Sequence, residues 1–215
     1  MISLALAAMF LPLSHFLIAS TRLRGLLVHR FGERRYLASY STLTLAAFAW
    51  LIVAYLRAPT LILWATPPWL AALLLPVGLV GSVLMVAGLS TPNPVIVGMG
   101  RLFDQTDIVR GILGVSHNPF FWGAGLVSLA QVILLGDGAA ILAFGSVAFL
   151  GIIGSLVLDA KKARQHVEAW RAFTAATSNV PFLAIIRGRQ HLATLAFDDL
   201  LSNASLFEGV RIAFR

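Results

Sequence analysis

The stretch GVSHNPFFWGAGLVSLAQVILLGDGAAILAFGSVAFLGIIGSLVLDAKKAR, residues 114–164, decides the fold. It holds two apolar runs, Pro119 to Leu135 and Ala139 to Leu158, joined by a Gly-Asp-Gly turn. Each run is close to the roughly 20 residues a helix needs to cross the hydrocarbon core of a bilayer. Gly136 and Gly138 supply the backbone freedom of a tight turn, and Asp137 reads as its wet tip. The first charge after the second run is Asp159, which opens the basic stretch DAKKAR.

Working outward, the rest of the chain follows the same pattern. It is 59% hydrophobic and 12% charged, against about a quarter charged in an ordinary globular protein. A soluble fold of 215 residues would lack the polar surface to coat that much apolar material. Three further runs suit spanning helices: residues 1–19, Leu37 to Leu56 and Pro68 to Leu89. The first lacks the charged start of a cleavable signal, so it reads as a helix. The expected fold is therefore all-α, a polytopic transmembrane bundle of about five spanning helices with a C-terminal amphipathic segment. Residues 1–158 form the five-helix domain and residues 159–215 a basic cytoplasmic or interfacial tail. That tail reads as a helix leaving the membrane, then one lying on its surface. Its end, DDLLSNASLFEGVRIAFR, is too polar to span.

Charge orients the bundle. The first loop, TRLRGLLVHRFGERRY, has five arginines, the second only Arg57, the third Arg101 and Arg110, and the fourth none. Basic residues in alternate loops place the N-terminus outside and the C-terminus in the cytoplasm. The net charge of +7 then reflects loops facing anionic lipid. The expected partner is the bilayer, and no nucleic acid. Trp64 and Trp69 of the second loop suit the membrane–water boundary. The third loop, Ser90 to Asn118, is long enough to carry function or act as a lid.

Few groups could do chemistry. The absence of cysteine excludes disulfides and thiolate sites. No Asp, Glu, Lys or Arg lies inside the five runs, and no HExxH, GxSxG or phosphate-loop motif occurs. These motifs assign no catalytic residue. His15 sits within the first run, roughly 6 Å from its inner end at 1.5 Å per residue. Its imidazole suits either a bond to a neighbouring helix or ligation of a metal or haem iron. His117 lies two residues before the fourth run, at a depth that would let it pair with His15; the alternative is a cap or head-group contact. Asn118 is placed as an N-cap ahead of Pro119. Ser128 and Gln131, three apart, share a helix face suited to interhelical hydrogen bonds. Gln131 lies roughly 18 Å along its helix. His29, His166 and His191 read as surface histidines, and Gly145, Gly151 and Gly154 as close-packing positions.

Four stretches together resemble the NnrU family of bacterial integral membrane proteins: SHFLIASTRLRGLLVHRFGERRYLASYSTLTL, LWATPPW, the segment from Gly114 into DAKKAR, and SNVPFLAIIRGRQHL. The resemblance implies a link to nitrite and nitric oxide reduction and homology to 15-cis-ζ-carotene isomerases, which use haem b held by membrane histidines. It leaves three functions open: an accessory protein of nitrogen-oxide respiration that binds haem b beside a membrane respiratory partner, a haem-dependent cis–trans isomerase of a membrane-dissolved polyene, and a non-catalytic assembly partner without a cofactor. His15 matches the family histidine of the first helix. Where the family pattern reads RHP and LAH, this chain reads His117-Asn118-Pro119 and Leu129-Ala130-Gln131. A haem site, if inherited, would draw on His15, His117 and Gln131. Residues near the C-terminus replace a further apolar span that the family tends to keep.

Overall fold

In the computed structural model the described residues are 1–19, 22–96, 99–104 and 109–191; the polar end segment lies outside them. Helix α1 (Ile2–Ser14) contains Pro12 and gives way to a π-helical turn over His15–Ala19. Then come α2 (Arg22–Phe31), α3 (Glu33–Leu56) and α4 (Pro68–Ser90). A 3₁₀ turn (Gly100–Asp104) and the short α5 (Ile112–Val115) occupy the long third loop. Helices α6 (Pro119–Leu135), α7 (Gly138–Gln165), α8 (Val167–Ala176) and α9 (Leu183–Ile186) complete the order. The chain is an all-α multi-pass membrane protein.

Three helices, α3, α4 and α7, are long and apolar enough to cross a bilayer, and a fourth crossing is reached if α1 with its π turn and α2 form one pair bent by 71°. At 17 residues α6 is shorter, at the low end of the roughly 17–25 that span. In α3 and α4 only 17% of the most apolar window is buried. Their leucines and valines therefore face outward, as a lipid environment requires.

The chain divides into two compact units. The first holds Met1–Val83 and Gly123–Leu158. Its core packs Leu4, Ala7, Ala8 and Leu11 of α1 with Ala47, Leu51 and Ala54 of α3 and Ala139 and Ala143 of α7. Alanine dominates because small residues let membrane helices approach closely, where no hydrophobic force drives them together. The second loop is more than a tryptophan anchor. Ile62 forms an isolated antiparallel bridge with Asp137. Leu63 and Trp64 donate backbone N–H groups to Gly136 O, and Gly138 N–H donates to Leu61 O. Trp64 Nε1 also donates to Ile133 O. Asp137 is buried rather than a wet tip, because its Oδ1 caps α7 by accepting from Ala139 and Ala140 N–H at 2.8 and 2.9 Å.

The second unit holds Leu84–Trp122 and the chain from Asp159 onward. It is built around Val95, Leu113, Val115, Trp170, Phe173 and Ala184, all buried. The amphipathic helix α8 spends its apolar face here: Phe103 packs on Trp170 and Phe173 with ring centroids 6.2 and 5.6 Å apart. Helix α7 runs on to Gln165 without a break, so DAKKAR continues the fifth apolar run as helix. His166 is half-buried against Phe103, unlike the surface residue expected. Gly145 meets open space, whereas an added Cβ at Gly88 would lie 2.5 Å from Phe120 N. Close packing thus occurs at Gly88 of α4 and not at Gly145 of α7.

Candidate functional site

The polar centre of the second unit is Asp159. Its Oδ1 accepts from Asn118 Nδ2 at 2.7 Å, and its Oδ2 accepts from Asn179 Nδ2 at 2.6 Å and from His117 Nε2 at 3.0 Å. Asn179 Oδ1 in turn accepts from Trp122 Nε1, and its backbone carbonyl from Ser116 Oγ. Backbone bonds continue the seam: His117 N–H to Ser178 O, and Phe182 N–H to Val115 O. Asn93 Nδ2 donates to His117 O. The start of α6, the end of α7 and the SNVP loop are thereby joined through one carboxylate. Three donors on one carboxylate meet the rule that polar groups removed from water must be paired.

His117 is 2% exposed and both its ring nitrogens are engaged. Nδ1 lies 3.0 Å from Thr177 Oγ1, whose own proton goes to Phe173 O at 2.7 Å. The hydroxyl thus engages Nδ1 and the carboxylate Nε2. The ring is enclosed by Trp170 and Phe173 at 5.3 and 5.5 Å. Asn118 precedes α6 as expected and its backbone carbonyl accepts from Trp122 N–H, while its side-chain amide donates to Asp159.

His15 belongs to the first unit. It sits in the π turn after Pro12, an irregularity common at functional positions. Its Nδ1 is 3.3 Å from Leu11 O and its ring meets Tyr40 edge-on at 5.5 Å. Nε2 has no partner among the described residues. Gln131, in the same unit, is half-buried and likewise makes no side-chain hydrogen bond there. Ser128 is buried. An apolar groove of about 430 Å³ lies between α1 and α7, lined by residues including Met9, Phe16, Ile141 and Phe149. Among the described residues no group of three or more His, Asp or Glu is placed to hold a metal ion.

Of the residues expected to hold haem, His15 keeps one ring nitrogen without a partner among the described residues, and both nitrogens of His117 are engaged. Sequence reasoning passed over Asp159, Asn179 and Thr177. Asp159 reads as the first residue of a tail, and its partners Asn118 and Asn179 stand 41 and 20 positions away. The available signal was a cluster of Asn and Ser on both sides of apolar runs, in HNP and SNVP.

No curated protein and no solved structure matches the chain. Residues 3–202 match the family described as NnrU protein. With nearly its full length covered by that match, this integral membrane protein belongs to the NnrU family.

Proposed function

We propose that the protein is an accessory or assembly component of nitrite and nitric oxide metabolism in the bacterial inner membrane, acting without haem as a non-catalytic partner of a membrane respiratory complex. One observation carries the absence of haem from this reading: both nitrogens of His117 are committed to Thr177 and Asp159. For His117 to bind iron it would have to abandon a buried, fully paired arrangement. The link to nitrogen-oxide metabolism comes from family membership. Loop charges support an outward N-terminus and a cytoplasmic C-terminus, which reporter fusions at each end would test.

The rival reading is a cis–trans isomerase acting on a membrane-dissolved polyene. The apolar groove between α1 and α7 favours it, since such a substrate would need a lipid-accessible slot. An absorption spectrum of protein purified from cells supplied with excess haem separates the two. The accessory reading expects no Soret band that depends on His15. A stoichiometric band lost in His15→Ala would sink it. Deleting the gene in its host should impair growth on nitrite without oxygen; unimpaired growth would count against the respiratory role.

A further inference from the structure

We propose that Val180, Phe182 and Ile186 form a wedge that enters the boundary between lipid head groups and acyl chains, held at that depth by the Asp159 cluster. Two independent markers locate the boundary. Asn118 is the last residue before the apolar helix α6, and Asp159 is the first charged residue of α7. They meet through a hydrogen bond of 2.7 Å. The cluster therefore stands at the edge of the apolar zone.

The loop is tied to that edge at three points. Asn179 Nδ2 donates to Asp159, Ser116 Oγ donates to Asn179 O at 2.6 Å, and Phe182 N–H donates to Val115 O at 2.9 Å. Phe182 is held at φ 64°, in the left-handed region, a costly conformation for a bulky side chain. What that conformation delivers is exposure: Val180, Phe182 and Ile186 are 43%, 38% and 78% exposed. In water, displaying three apolar side chains on one short turn gains nothing. At a bilayer it buries them. Ala184, between them, points inward and is fully buried, so the display is one-sided. Arg187 follows directly and is exposed, placed for lipid phosphate. The occupant of this surface is the bilayer, because the Trp122–Asn179 bond ties the loop to the first turn of the apolar helix α6.

The absence of native cysteine makes the test direct. Full-length Ile186→Cys is labelled with an environment-sensitive fluorophore and reconstituted into phosphatidylethanolamine–phosphatidylglycerol vesicles. Expected are blue-shifted emission and strong quenching by a nitroxide placed high on the acyl chain, with little quenching by iodide. A label at Glu168→Cys, on the exposed side of α8, should show the reverse. Adding Asp159→Ala, or the milder Asn179→Ala, should remove most of the lipid quenching at position 186. Iodide quenching at 186 equal to that at 168 would overturn the wedge. So would shielding from both quenchers, which would mean a protein covers the site. Unchanged lipid quenching in both cluster variants would overturn the role given to Asp159.

Discussion

Asp159 Oδ2 and His117 Nε2 lie 3.0 Å apart, joining the charged end of α7 to the residue pair that starts α6. The carboxylate side chain is 21% exposed and the imidazole 2%. Solvent therefore screens one partner and not the other.

Asp159→Ala removes the common acceptor of three donors. Stranding a buried donor costs about 1–3 kcal/mol, and breaking a fully buried pair about 3–5 kcal/mol. With partial screening of Asp159, a loss of about 2–3 kcal/mol is expected. Thermal unfolding in detergent would measure it. A cycle with His117→Ala should show coupling of about 0.5–3 kcal/mol; strict additivity would mean that the pair does not act as a unit.

Gly88→Ala and Gly145→Ala should differ in sign. A methyl group at Gly88 would press on the backbone of Phe120 at 2.5 Å, which cannot swing away as a side chain could. That substitution should destabilise by about 1–3 kcal/mol, the usual range for overpacking. At Gly145 the methyl group meets nothing within 4 Å, so the better helix propensity of alanine should leave stability equal or raise it by up to about 1 kcal/mol. Comparing the two melting temperatures decides the matter.

Asp137→Ala takes away the cap of α7 and should cost about 1 kcal/mol. Asp137→Asn retains the accepting oxygen and should recover most of that loss. Hydrogen exchange at Ala139 and Ala140, whose amides the carboxylate holds, is the direct measurement: rapid exchange in the alanine variant and near-native protection in the asparagine variant.

Arg189 Nη1 donates to the carbonyls of Thr174 and Thr177 at 2.9 and 3.2 Å, closing the C-terminal end of α8. A cation there also suits the helix dipole. Arg189→Ala should speed amide exchange over the last turn of α8 and cost about 1–2 kcal/mol. Unchanged exchange would show that Gln190, which donates to Ala176 O, suffices alone.

The apolar helices were legible because lipid imposes one condition over a whole window of residues. α4 spans Pro68–Ser90 against an expected Pro68–Leu89, and α6 has the expected bounds. Pro119 at the first helical position marked the start of α6 for a local reason: its missing N–H is not needed there. Asp137 was open to a better reading, since an acid two and three residues before the bonded amides of a helix is an N-cap pattern. The site was less legible. Asn118 looks like a cap from its neighbours alone, which says nothing of the distant carboxylate of Asp159 that its amide also serves. Nothing beside His117 in sequence points to Thr177, 60 positions later, which engages its second nitrogen.

The bridge between Ile62 and Asp137 bears on the order of biogenesis. The backbone groups of residues 61–64 find their partners only at residues 136–138, which a ribosome delivers after two further hydrophobic segments have been translated. Until then the α3–α4 hairpin must sit in the membrane with that connection unsealed. A translocon or insertase that holds the early hairpin open would be working on the part of the molecule where waiting is unavoidable, and stalling synthesis between residues 66 and 136 should trap it in that state.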